Sequence, residues 1–183
     1  MDPLLLVAGL VILTLLWVIF LYNSLITKRN RVKEAYSQID VQLKRRSSLI
    51  PNLVEAVKGY AKHEKEVLEE VTRARTALMD AKGPRDQAAA NDMLSSALKS
   101  LFAVAESYPN LRASENFKQL QEELSDTETK VAAARQFYNT NVLDYNSTIQ
   151  SFPASVLASA FGFREEEFFK ASEEEKVDVK VQF

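Results

Sequence analysis

Hydrophobic positions along the 183-residue chain fall into three regimes. The first is a continuous run. Leu4 to Tyr22, LLLVAGLVILTLLWVIFLY, holds 19 residues and no charge. At 1.5 Å per residue it spans roughly 28 Å, about one hydrocarbon core, and it is apolar on every face, which predicts a transmembrane helix. Leu4 opens this anchor, and Trp17 and Tyr22 stand toward its end, where amphipathic rings suit the lipid–water boundary. The second regime is periodic. From Val32 to Leu78 two interleaved heptad series hold, one through Val32, Ile39, Arg46, Leu53, Tyr60, Val67 and Ala74, the other through Tyr36, Leu43, Ile50, Val57, Glu64, Val71 and Leu78. Only Arg46 and Glu64 are polar, and a strand would alternate instead. Pro51 lies inside this stretch and removes the helical donor to the Ser47 carbonyl. Because the hydrophobic phase runs on unchanged across it, one long helix kinked near Ser47–Pro51 is expected.

Gly83-Pro84 stops that helix. A second helix is predicted over Arg85–Ala105, with Leu94, Leu98, Leu101 and Phe102 on its apolar face. Tyr108-Pro109-Asn110 reads as a turn. Ser114 is the expected N-cap of a third helix reaching Gln150, with Phe117, Leu124, Val131, Tyr138 and Tyr145 on one stripe. Pro153 suits the first turn of a short fourth helix ending at Gly162. The third regime is the charged tail, 164–183, where Glu165-Glu166-Glu167 and Glu173-Glu174-Glu175 look solvated and Val177, Val179 and Val181 alternate with polar residues. Disorder is the expectation there, with an edge strand as the alternative. The chain is thus all-α: an N-terminal transmembrane helix (1–27), an elongated antiparallel helical bundle of three long helices and a short C-terminal one (28–163), and the tail.

Charge orients the anchor. Lys28, Arg29, Arg31 and Lys33 follow the span, and Asp2 alone precedes it. The positive-inside rule places the bulk of the chain in the cytoplasm and the N-terminus outside, with the basic group able to touch anionic lipid. Without a basic stretch before the run, retention as an anchor is expected over cleavage as a signal peptide.

Composition then removes chemistry. Twenty-three basic and 25 acidic residues give −2, which argues against a nucleic-acid partner. No Cys and one His leave no thiolate site, no multi-histidine metal site and no cysteine nucleophile. Four Gly cannot form a glycine-rich phosphate loop. His63-Glu64 lacks the second His that a zinc-protease helix needs, since residue 67 is Val67. Glu122, Glu123, Asp126 and Glu128 share a helix with Lys118 and Lys130 and read as a solvated face rather than an acid–base pair. No catalytic residue, metal or cofactor is expected.

Two clusters remain. In Lys44-Arg45-Arg46 the last residue occupies a core position, which points to an interhelical or intersubunit ion pair, with Glu128 or Glu123 as partner. Asp40 stands four residues before Lys44, a favourable helical pair. Tyr138-Asn139 and Tyr145-Asn146 are one heptad apart, so the rings fill a seam while the amides bond to neighbouring helices.

The stretch Ile39–Glu64, IDVQLKRRSSLIPNLVEAVKGYAKHE, resembles the signature of the LemA family, as do AESYPNLRAS (105–114), ENFKQLQEEL (115–124) and ARQFYNTNVLDYNSTIQSFP (134–153). The blocks occur in order, and the likeness covers roughly Tyr22 to Phe169. Ser47-Ser48 departs from the bulkier or acidic residues expected before Leu-Ile-Pro. The resemblance implies a bacterial inner-membrane protein with one anchor, an elongated antiparallel bundle and no established catalytic activity. The expectation is a non-enzymatic, membrane-anchored scaffold that touches lipid, self-associates into a homo-oligomer and organises membrane. The alternative is an adaptor that docks a soluble protein partner on the bundle.

Overall fold

A computed structural model describes residues 3–61 and 63–169. Within them every regular element is helical, and the expected all-α bundle behind a long apolar helix is what forms. Helix α1 runs from Pro3 to Lys58 without interruption, so the apolar segment and the first bundle helix are one rod, roughly 84 Å long. The remaining helices are α2 (Lys65–Asp80), α3 (Gly83–Ala105), the short α4 (Pro109–Ala113), α5 (Glu115–Gln150) and α6 (Ala154–Ala160).

The rod passes through Pro51 but ends at Lys58, which corrects the expectation of one helix to Leu78. Residues 59–64 form a turn, and α2 folds back beside the end of α1. The apolar phase survives the reversal because Leu68, Val71, Ala74 and Leu78 of α2 face the same core that Leu53 and Val57 of α1 face. Sequence phase alone therefore could not register the break. The clue was Gly59, together with two successive core-series positions at the turn: Tyr60, which is exposed, and Glu64, which is polar.

Gly83, at φ +83°, makes the tight reversal from α2 to α3, a conformation that side chains with a Cβ rarely adopt. Where a turn was expected at 108–110 the chain adds the single helical turn α4, with Pro109 at its start. Ser114 occupies the N-cap of α5, but its hydroxyl makes no capping hydrogen bond. Gly162, at φ +70°, ends α6, and the Phe163 amide reaches back to the Ala158 carbonyl at 2.9 Å.

α5 lies antiparallel to α1 along most of its length: Arg45 pairs with Asp126, the Tyr36 and Tyr138 rings stand 5.8 Å apart, and Lys28 pairs with Asp144. Far from the apolar segment, α2 and α3 complete a four-helix bundle with them around Ile50, Leu53, Val71, Leu94, Leu101 and Leu124. Nearer the segment α1 and α5 continue as a two-helix stalk. The stalk is covered on one side by α6 and by the extended residues 163–169. The valine-rich part of the tail lies outside the described residues. The apolar side chains from Leu6 to Phe20 that the structure describes are exposed, with nothing in this chain packed on them. α1 is long and apolar enough to cross a membrane.

Candidate functional site

Three polar constellations stand out against this apolar frame. The first surrounds Arg46, 1% exposed at the junction of α1, α3 and α5. Its Nη1 donates to Asn91 Oδ1 of α3 at 2.6 Å, and its Nη2 lies 3.5 Å from Glu128 Oε1 of α5. Ser95 of α3 donates to the same Glu128 oxygen at 3.3 Å. Nε finds no hydrogen-bond partner. Burial pushes the guanidinium pKa down, and Glu128 opposes that push. One cation thus ties three helices at a fixed register. Of the two expected partners Glu128 is found, whereas Glu123 accepts from Gln119 on its own helix. Asp40 holds Lys44 at 2.7 Å and accepts from Gln87 of α3 at 3.4 Å. Arg45 reaches Asp126 at 3.4 Å, whose carboxyl is held below the usual carboxylate range, first by the Lys130 hydrogen bond.

The second is a backbone clamp on α5. The Asn146 amide donates to the Glu166 carbonyl at 2.9 Å and accepts from the Glu166 amide at 3.0 Å. Asn139 makes the same double bond with Phe169, at 2.9 Å in each direction. Seven residues of helix advance about 10.5 Å and three residues of extended chain about 10 Å, so the heptad repeat on α5 matches the 166-to-169 step of the strap. Between them the Tyr138 hydroxyl donates to the Glu167 carbonyl at 2.8 Å. Phe169 is buried, with the Arg135 guanidinium 5.1 Å from its ring centre. Burial first, then the nearby Glu166, pushes the Tyr138 phenol up to about 12. Tyr145 is also raised by burial, and its hydroxyl has no hydrogen-bond partner.

This corrects the expected roles of the Tyr-Asn pairs. Their rings do fill the α1–α5 seam, but the amides bond to the extended C-terminal segment, not to helices. It also gives residues 164–169 of the supposed tail a fixed place. The heptad-spaced asparagines were the available signal; which backbone they hold was not readable.

The third is the collar where α1 leaves the apolar run. Tyr22 packs against Phe161 at 5.0 Å and Phe163 at 5.9 Å. Lys28 pairs with Asp144 and Arg29 lies 3.7 Å from Glu166, while Arg31 and Lys33 are exposed. Leu4 and Trp17 are exposed on the apolar helix.

His63 sits exposed in the α1–α2 turn. Among the described residues no three His, Cys, Asp or Glu side chains converge as a metal site.

A family profile described as the LemA family matches residues 35–183. Protein LemA of Metamycoplasma hominis is 31% identical over 161 residues, covering 86% of this chain and 72% of its own. Magnetosome protein MamQ 2 of Paramagnetospirillum magneticum and magnetosome protein MamQ of Magnetospirillum gryphiswaldense are each 25% identical, over 175 and 174 residues. In both cases 81% of this chain aligns, and it spans 64% of the relative's length.

Proposed function

The chain belongs to the LemA family, and from that premise we propose that this membrane-associated helical protein is a non-enzymatic scaffold whose stalk binds the stalk of a second copy. The observation that supports this is the uncovered side of the α1–α5 pair. Val41 and Phe137 are exposed there and border a groove of about 690 Å³ with Ala133, Ala134 and Gln42, whose buried Oε1 finds no partner. A large exposed aromatic beside an orphaned buried acceptor suits a protein neighbour better than water. An anchor adds to the effect, because molecules held in one plane meet at raised effective concentration. The flanking cations Lys28, Arg29, Arg31 and Lys33 favour an orientation with the bundle in the cytoplasm of a bacterial inner membrane and the N-terminus outside.

The natural chain has no Cys, so a single cysteine reports one surface. Val41→Cys and Phe137→Cys, in membranes under mild oxidation, are expected to give a disulfide-linked dimer of this chain, and Met79→Cys on α2 none. Equal crosslinking at all three positions, or none at 41 and 137, contradicts the proposal. One dominant adduct with a foreign protein at 41 and 137 also contradicts it, and favours the adaptor alternative.

A further inference from the structure

From Tyr145 to Phe163 the chain carries no charged side chain, 19 residues that include the end of α5 and all of α6. Their position gives that blandness a meaning. Lys28 pairs with Asp144 across the antiparallel helices. Six residues back along α1 is Tyr22, the last residue of the apolar run, and six residues on along α5 is Gln150, its last. The end of α5 and the whole of α6 therefore lie level with the boundary of the apolar segment. The contacts of Tyr22 with Phe161 and Phe163 fix that level independently.

At this level the outward surface is apolar. Ala154 and Ala158 turn one face of α6 into the protein, which leaves Val156 pointing away, 61% exposed. Phe152 is 84% exposed and Phe161 58%. Three large apolar side chains presented to solvent at the end of an uncharged stretch are costly in water and well placed in the headgroup–acyl boundary. Phenyl rings beside Trp17 and Tyr22 would extend the aromatic belt of the span itself.

We propose that α6 with Phe152, Val156 and Phe161 is a second membrane contact, a foot that enters the lipid interface beside the transmembrane helix. The occupant of this face is the bilayer, because the face is continuous with the surface where α1 enters lipid. The inference rests on the anchoring of α1 and adds a function to it: two contacts, one spanning and one interfacial, fix the tilt of the rod, which a single helix leaves free. The exposed cations Arg31 and Lys33 lie one to two turns further from the lipid, where headgroup phosphates can reach them.

The test uses the full chain in phosphatidylethanolamine–phosphatidylglycerol vesicles containing a phospholipid brominated near the top of its acyl chains. Trp17 is the sole tryptophan, so its quenching in the unsubstituted protein reports the anchor alone. In a Trp17→Phe background, Phe152→Trp and Val156→Trp place a reporter on the foot, and Met79→Trp places one on the distant bundle. Since 152, 156 and 79 are exposed, none of these changes removes core packing. The expected result is a loss of emission at 152 and 156 comparable to that of Trp17, and none at 79. Quenching of Trp17 without quenching at 152 and 156 overturns the foot and leaves the anchor standing. A reporter at 152 shielded from water yet unquenched by the lipid puts a second copy on α6 and overturns the proposal too. If Trp17 itself is unquenched, the anchor fails and the foot with it.

Discussion

Arg75 of α2 donates from Nε to the Ser47 carbonyl of α1 at 3.0 Å. That oxygen is the one Pro51 leaves without its helical donor, since proline has no N–H to offer four residues on. α1 crosses Pro51 unbroken, and the orphaned acceptor faces a cation from the neighbouring helix rather than a cavity. The hairpin supplies the geometry: residues 47 and 75 are equally far from the turn at 59–64, so an antiparallel return brings them level.

Arg75→Met is therefore expected to cost about 1–2 kcal/mol, the usual worth of a hydrogen bond to a charged donor at a part-buried site. In a Pro51→Ala background the backbone donor returns, and most of that cost disappears. Urea unfolding of the four proteins in detergent, read as a double-mutant cycle, measures the coupling. Equal costs in both backgrounds would show that the contact does not compensate the proline.

At the three-helix junction, Asn91 gives the buried Arg46 its short neutral acceptor. Asn91→Leu leaves a buried cation under-bonded and is expected to destabilise the fold by about 2 kcal/mol. Adding Arg46→Met removes the charge while keeping much of the volume, and most of the loss returns. Chemical unfolding midpoints check both. A double variant as weak as Asn91→Leu alone would mean that packing, not the orphaned charge, sets the cost.

Much of this fold is legible in residue order. A charge-free run of 19 residues can do little but span or hide, and the heptad phase assigns inward faces with few errors. Arg46 stood out as a cation in a core position, and Glu128 was a partner within reach. Three features were not legible, each for a physical reason. The hairpin at 59–64 preserves hydrophobic phase, so periodicity does not see it. Arg75 looks like any surface arginine, because the carbonyl that it serves is a backbone atom. The strap at 163–169 has a composition that reads as solvated tail, and its hold comes from two asparagines whose partners are main-chain groups that any sequence would offer.

That hold is testable amide by amide. Asn139→Leu and Asn146→Leu each remove two hydrogen bonds to the strap. Exchange of the Phe169 and Glu166 amides, respectively, is expected to speed up roughly ten-fold or more, while the α5 core amides are unchanged. Hydrogen exchange read by mass spectrometry on the C-terminal peptide decides it, and unchanged protection would show that Phe169 packing alone retains the strap.

Alkali should release the same segment. The Tyr138 phenol is raised by burial to about 12 from an ordinary value near 10. The unfolded chain therefore ionises first. The contribution to stability is complete below about pH 10 and is lost as pH rises from there through about 12. Stability of the full chain in detergent should fall over that window, and Tyr138→Phe should flatten the fall. An unchanged alkaline slope in Tyr138→Phe would assign it to the other tyrosines.

The central claim is that the exposed stalk side joins copies of this chain. Light scattering combined with refractometry on the detergent-purified full chain measures it most directly, because it returns the protein mass apart from the micelle. The expected mass is a multiple of the 20.7 kDa protomer at micromolar concentration, falling to a single protomer in Val41→Glu/Phe137→Glu. A protomer mass for the unsubstituted protein would contradict the claim, as would a multiple that survives the double substitution.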